Sequence, residues 1–153
     1  MSSPKPSETI FYKERVRPNL TTFVAVSALI PAVTLVSEPF DFRIGLFLSI
    51  GLVAAIWAAF IFMSPSIRVT ENNLFAGKAY VPRKFIGEVV EIGKDRIFQE
   101  RGPELDPASY KVFQGTVKAA VKVYLKDPQD PTPYWIISTR RPDKLAKALL
   151  TRS

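Results

Sequence analysis

The chain has 153 residues with 21 Lys/Arg, 14 Asp/Glu and neither Cys nor His, which gives a formal net charge of +7. The lack of Cys and His excludes disulfides, thiol nucleophiles, Cys/His zinc sites, haem ligation by histidine and the Ser-His-Asp triad. The sequence therefore predicts no cofactor, no metal site and no catalytic residue.

The positive charge is concentrated in the second part of the chain. Residues 67–153 hold 16 Lys/Arg and ten Asp/Glu, whereas residues 1–66 hold five and four. A membrane surface is the nearest anionic partner, because anionic lipid attracts adjacent basic segments by about 1 kcal/mol per Lys or Arg. Nucleic acid has no further support in the sequence.

A polar N-terminal tail, residues 1–19, precedes two uncharged stretches, residues 20–36 and 44–63. At about 1.5 Å per residue the second stretch reaches ~30 Å and the first about 25 Å, so both predict transmembrane helices. The connection, residues 37–43, is short enough to force an antiparallel hairpin with an outside loop. A signal peptide is the alternative for the first stretch, but the long polar lead and the second span disfavour it. Pro31 predicts a kink, because it leaves the Ser27 carbonyl without its helical donor.

Lysine and arginine flank the hairpin more densely than they occupy its loop, which holds only Arg43. The distribution of these residues predicts that both termini face the cytoplasm. The flanking residues are Lys13, Arg15 and Arg17 before the first stretch, and Arg68, Lys78, Arg83 and Lys84 after the second.

Small residues recur at helical spacing in both stretches, and such stripes let helix backbones approach closely in lipid. One stripe is Thr21, Ala25, Ala28 and Ala32, and the other is Gly51, Ala55 and Ala58 (or Ala59). The plainer interpretation is that the hairpin packs on itself through them. The alternative is a face for a homo-oligomer or a partner membrane protein. Trp57 is expected to be a packing residue.

Residues 67–153 alternate between short apolar runs and turns, which is typical of a small antiparallel β domain. The clearest strand is 117–126, where Lys118, Lys122 and Lys126 fall on the face predicted to be solvated. A turn at 127–131 should pair it with a strand at 134–139, and a helix begins near Pro142. Tyr134 and Trp135 should divide between the core and the surface or membrane interface, and ligand stacking is the alternative.

Two groups of charged residues are candidate sites. The first is a basic surface formed by Lys118, Lys122, Lys126, Arg140, Arg141, Lys144 and Lys147. Its plainer interpretation is a solvated surface, and its alternative is a site for anionic lipid headgroups or an acidic partner. The second is a loop with Arg101, Glu104 and Asp106, in which an Arg–carboxylate pair is expected to brace the backbone. A general acid/base pair there is the alternative.

Two resemblances add to this interpretation. The run IRVTENNLFAGKAYVPRKFIGEV (67–89) resembles the opening strands of bacterial pleckstrin-homology-like domains, which implies that fold. Arg15-x-x-Pro18, RGPELDP (101–107) and DPQDPTPYWIISTRRPDKLAKAL (127–149) resemble an actinobacterial family of small two-span membrane proteins catalogued as a domain of unknown function. That resemblance implies a bacterial inner-membrane location and carries no activity.

The leading hypothesis is a non-enzymatic, membrane-anchored binding or scaffold module that contacts anionic lipid or a protein through its basic surface. The second is an auxiliary subunit of a membrane complex, bound through the transmembrane helices. The third is an enzyme that uses carboxylates, Lys or Tyr near residues 101–106.

Overall fold

The computed structural model describes residues 9–37, 39 and 41–151. The first eight residues of the predicted tail, Glu38 and Phe40 of the predicted loop, and the last two residues lie outside this description. The chain forms two compact units. One is helical and covers Arg17–Ser64, and the other joins the described residues before Arg17 to those from Pro65 onward.

The helical unit contains α1 (Leu20–Ser27), α2 (Leu29–Ser37) and α3 (Phe42–Phe62). The segments Leu20–Ser37 and Phe42–Phe62 are long and apolar enough to cross a membrane, by length and composition. The first segment is interrupted at Ala28, three residues before Pro31, where the sequence predicts a kink. Pro31 occupies the first turn of α2, where no backbone donor is required.

Helices α2 and α3 pack through polar and small side chains. The hydroxyls of Thr34 and Ser49 lie 3.1 Å apart and are both buried. Gly45 is buried beside them, and a Cβ there would lie only 2.5 Å from the Ser37 Cβ. Close approach at Gly45 therefore requires glycine, as small-residue contacts in helix pairs do.

The predicted small-residue stripes do not form this contact. Six of their members are exposed, namely Thr21, Ala25, Ala28, Ala32, Gly51 and Ala55, and Ala58 is half-buried. The prediction that the hairpin packs on itself through these stripes is wrong, because Gly45, Ser49 and Val53 occupy the buried side of α3. Trp57 contacts Phe23 edge-on, with 5.5 Å between the ring centroids.

The second unit, called here the β unit, has two four-stranded sheets. Sheet A has the order β1-β2-β3-β4 and is antiparallel; its strands are β1 (Ile10–Arg15), β2 (Ser66–Thr70), β3 (Asn73–Ala76) and β4 (Ala79–Pro82). Sheet B has the order β5-β7-β8-β6; its strands are β5 (Ile86–Ile92), β6 (Tyr110–Val112), β7 (Ala120–Leu125) and β8 (Tyr134–Ser138).

The sheets confirm much of the predicted β pattern and differ from it in two ways. Strands β7 and β8 form the expected antiparallel pair, with Val123 opposite Trp135. Strand β6 pairs with β8 in parallel, so sheet B is mixed. Strand β1 lies in the predicted N-terminal tail. It pairs with β2, with Arg15 opposite Ser66, although the whole helical unit separates the two strands in the sequence. The resemblance to a pleckstrin-homology-like fold stays a prediction.

One core joins both sheets to the C-terminal helix α5 (Pro142–Leu150). Alternate residues of each strand point inward, as a two-layer β structure requires. The fully buried side chains of this core include Ile67, Val69, Leu74, Val121, Val123, Ile137 and Leu145. A second, smaller core lies on the other face of sheet B, under the short helix α4 (Ile97–Arg101).

Candidate functional site

An open cavity of about 450 Å³, called here the basic cleft, lies between strand β1 and helix α5. Its cations come from both elements: Lys13 from β1, and Arg141, Lys144 and Lys147 from the start and the outer side of α5. Its remaining wall consists of Phe11, Tyr12, Ala148 and Thr151. Among the described residues that line it, none is acidic, so the cleft concentrates positive charge.

Helix α5 presents its lysines to the cleft because its opposite side is anchored in the core. Leu145 and Leu149 are buried, whereas Lys144 and Lys147 are exposed, which is the division expected of an amphipathic helix. The far end of α5 is held by Arg83, whose guanidinium donates to the carbonyls of Ala148 and Leu149 at 3.0 Å. These carbonyls have no partner within the helix, and a cation there complements the helix dipole.

A buried carboxylate joins β1 to the start of α5. Glu14 is 8% exposed, and its carboxylate accepts hydrogen bonds from the Tyr12 and Thr139 hydroxyls, both at 2.5 Å. It also accepts one from the backbone N–H of Arg140 at 3.1 Å. The Thr139 hydroxyl in turn accepts from the backbone N–H of Arg141 at 3.1 Å. Charge-assisted hydrogen bonds of this kind are strong, so they fix the backbone on which Arg141 is mounted.

The Tyr12 ring contacts the Arg141 side chain. The guanidinium carbon lies 5.5 Å from the centroid of the Tyr12 ring, within the range of a cation–π contact. Burial, and then the hydrogen bond to Glu14, raise the pKa of Tyr12 to about 12. The phenol is therefore neutral at physiological pH, and its hydroxyl donates a hydrogen bond to the Glu14 carboxylate.

The structure brings together three of the seven residues of the predicted basic surface. Arg141, Lys144 and Lys147 line the cleft. Arg140 is exposed but does not line the cleft, and Lys118 and Lys126 are exposed elsewhere on the β unit. Lys13, which the sequence did not single out as a binding residue, completes the set.

Lys122 corrects the prediction of a solvated lysine face on β7. It is 9% exposed, and its ammonium lies 2.8 Å from a Glu100 carboxylate oxygen and 4.2 Å from the centroid of the Tyr134 ring. Helix α4 covers this face of the strand. Desolvation opposes the charged form of Lys122, but the hydrogen bond and charge of Glu100 outweigh it and raise the pKa of the lysine.

The charged loop is held by other bonds than the predicted Arg–carboxylate pair. The Arg101 guanidinium donates to the Val117 carbonyl at 2.8 Å and to the Ser138 hydroxyl at 2.6 Å, and burial lowers the pKa of Arg101. Glu104 lies 3.6 Å from Arg96, and Asp106 accepts from the Ala108 N–H at 2.8 Å. The three side chains thus have separate structural partners.

Tyr134 and Trp135 are both buried, so the prediction that one of them lies at the surface is wrong. They fall on opposite faces of sheet B, and each face has its own core. The Tyr134 hydroxyl accepts from the Asp106 N–H at 2.8 Å, which anchors the charged loop. Among the described residues, no group of three or more acidic side chains could hold a metal ion.

Two residues of the candidate site do not stand out in the sequence, for a clear reason. The sequence pattern places Lys13 and Glu14 in a polar tail, because the partner strand of β1 lies beyond both apolar segments. The alternation in IFYKERV was the available signal: Tyr12, Glu14 and Val16 are buried, and the residues between them are exposed.

A family model described as a protein of unknown function, DUF3093, matches residues 11–149. The chain belongs to this family. The match begins inside β1 and ends inside α5, so both walls of the basic cleft lie within the DUF3093 region. No curated protein and no solved structure matches the chain.

Proposed function

We propose that this DUF3093 chain is a non-enzymatic, membrane-anchored module that binds anionic lipid headgroups in the basic cleft. The helical unit supplies the anchor, in a bacterial inner membrane, with both termini on the cytoplasmic side. The observation that carries the proposal is the convergence of four cations in one concave site, with no acidic residue among the described lining.

The pairing of β1 with β2 supports a hairpin topology independently of the charge distribution. Arg15 and Ser66 are opposite each other in sheet A, so the chain leaves and re-enters the β unit at adjacent positions. A segment that crosses a bilayer and returns to its starting point crosses an even number of times. Two helices of spanning length fit that requirement.

The charges also supply enough energy for binding. At about 1 kcal/mol for each Lys or Arg near an anionic surface, four cations contribute about 4 kcal/mol, roughly a thousandfold in affinity. Among the described residues none of the four forms an ion pair within the protein, so this attraction is available to a ligand. Salt should weaken the binding, because the site is open to solvent.

The test uses the full chain in non-ionic detergent, titrated with short-chain phosphatidylglycerol and phosphatidylcholine. We expect binding of the anionic lipid only, and a loss of about thirtyfold in Lys144→Gln/Lys147→Gln. The matched control is Lys118→Gln/Lys126→Gln, which removes the same charge at exposed positions outside the cleft. Equal binding of the two lipids, or an equal loss in both variants, would refute the proposal.

A second candidate function, an auxiliary subunit of a membrane complex, is favoured by one observation. Gly51 and Ala55 are exposed on α3 and are not used by the contact between α2 and α3. We propose a transmembrane helix of another protein as their partner. Gly51→Leu/Ala55→Leu should release a stoichiometric partner that co-purifies in mild detergent, whereas Ile50→Phe, on another side of α3, should retain it. Retention by both variants would exclude this face.

A further inference from the structure

The chemistry of the basic cleft indicates more than general attraction to negative charge. Its four cations approach from β1 and from successive turns of α5, so a ligand inside the cleft meets several of them together. On a flat surface, each of the same charges could pair with a different lipid headgroup. The cleft therefore favours one headgroup with high charge density.

Two contacts hold Arg141 in place. Its guanidinium lies 5.5 Å from the Tyr12 ring centroid, and its backbone N–H is bound by Thr139. The guanidinium group is a planar fork of N–H donors, which suits two oxygens of one phosphate, and the Tyr12 ring lies beside it. Lys13, Lys144 and Lys147 line the same cavity and offer three further positive charges to the remaining oxygens.

The number of charges distinguishes two classes of phosphate. A phosphodiester carries one negative charge and two terminal oxygens, whereas a phosphomonoester carries about −1.5 to −2 at neutral pH and three acceptor oxygens. Four cations exceed what a diester neutralises. We propose, on the basis of the function proposed above, that the cleft prefers a phosphomonoester headgroup, the terminal phosphate of a phosphatidic-acid-like lipid.

The apolar part of the cleft points to a lipid as the source of that phosphate. Phe11 is 38% exposed and lines the cavity together with Ala148, beside the cations. These side chains offer a surface to the glycerol and upper acyl region, which a soluble phosphomonoester lacks. The lipid should therefore bind about tenfold more tightly than glycerol 3-phosphate, through roughly 1.4 kcal/mol of added apolar contact.

The experiment titrates the full chain in non-ionic detergent with short-chain phosphatidic acid, phosphatidylglycerol and phosphatidylcholine, and with glycerol 3-phosphate. At about pH 7.5 phosphatidic acid should bind about tenfold more tightly than phosphatidylglycerol. Near pH 5 this ratio should fall to about twofold, because the monoester regains its second proton, whose pKa is about 6.

The ratio of the affinities for phosphatidic acid and phosphatidylglycerol reports protonation of the ligand separately from protonation of the protein. The ionisable groups near the ligand fall into two sets. Those that line the cleft are Tyr12, Lys13, Arg141, Lys144 and Lys147. Those close to it are Glu14, bonded to Tyr12, Asp143, in the first turn of α5, and Arg83, bonded to the end of α5. Any change in their charge acts on both lipids and largely cancels in the ratio. Arg141→Lys keeps the charge but removes the fork, so it should reduce the ratio about threefold or more, whereas Lys118→Gln/Lys126→Gln should leave it unchanged.

The outcomes separate this inference from the proposed function. A ratio near one at both pH values, with both lipids above phosphatidylcholine, would overturn the phosphomonoester preference and leave the anionic-lipid site in place. If neither lipid binds above phosphatidylcholine, the two proposals fail together. Glycerol 3-phosphate binding as tightly as phosphatidic acid would support a phosphomonoester site and overturn its assignment to lipid.

Discussion

Basic side chains recur around strand β7 (Lys118, Lys122 and Lys126) and along the outer side of helix α5. The centre of the first group and the whole of the second have opposite surroundings. On β7 the central Lys122 is covered by α4 and neutralised by Glu100. On α5 the outer side is open, and Lys144 and Lys147 face a cavity. Regular spacing therefore establishes which residues share a face, whereas the presence of a covering element decides whether that face can bind a partner.

The largest effect is expected from removing the partner of the covered lysine. Glu100→Ala leaves the Lys122 ammonium buried without a counter-ion, which should lower the free energy of unfolding by about 3–5 kcal/mol. Thermal unfolding of the full chain in detergent measures it. Glu104→Ala removes an exposed partner 3.6 Å from Arg96 and should cost less than about 1 kcal/mol. Similar losses in the two variants would contradict the contrast between covered and open charges.

The helical unit offers the same contrast between two glycines. A Cβ at Gly45 would meet Ser37 at 2.5 Å, whereas a Cβ at Gly51 would meet nothing within 4 Å. Gly45→Ala should destabilise the unit by about 2 kcal/mol through overpacking. Gly51→Ala should be neutral or stabilise it slightly, because alanine is the better helix former. Unfolding in mixed micelles, followed by helical circular dichroism, compares the two variants, and a reversed order would show that α3 packs through its other side.

The smallest effect concerns the support beneath the cleft. Tyr12→Phe removes a hydroxyl bound to Glu14 but keeps the ring under Arg141, so it should cost about 1 kcal/mol of stability and change lipid affinity less than about twofold. The folded pKa of Tyr12, about 12, lies above its ordinary 10.0, so the unfolded chain loses this proton first. This contribution is present below pH 10 and is lost as the pH rises toward 12.

Denaturation at several pH values checks the sign of that effect. The stability difference between the natural chain and Tyr12→Phe should shrink as the pH rises through this range. A difference that stays constant or grows would show that the phenol is not held in its neutral form.

Local patterns in the sequence predicted the elements whose signals lie close together. Uninterrupted apolar length predicted both helical segments, and the turn at 127–131 and Pro142 predicted the β7–β8 pair and α5. Features that depend on distant segments were missed. Strand β1 needs a partner from beyond the hairpin, β6 pairs in parallel with a strand more than 20 residues away, and α4 buries Lys122 from outside the strand.

The small residues of the helices also show that a local pattern does not reveal which face contacts another segment. Gly45 and Ser49 are spaced four apart, as Gly51 and Ala55 are, and either pair could have faced α2. The side-chain hydroxyls decide between them, because Ser49 finds a hydrogen-bond partner in Thr34. A buried polar pair is thus a better guide to the contact face than small size alone.

The position of β1 has a consequence for how the chain matures. During synthesis, β1 (Ile10–Arg15) leaves the ribosome before its partner β2, which emerges only after the whole helical unit has been made. The edge of sheet A, and with it the Lys13 wall of the cleft, is therefore completed late, by a pairing between segments that are distant in the chain. A nascent chain halted within the helical unit would lack one wall of the basic cleft.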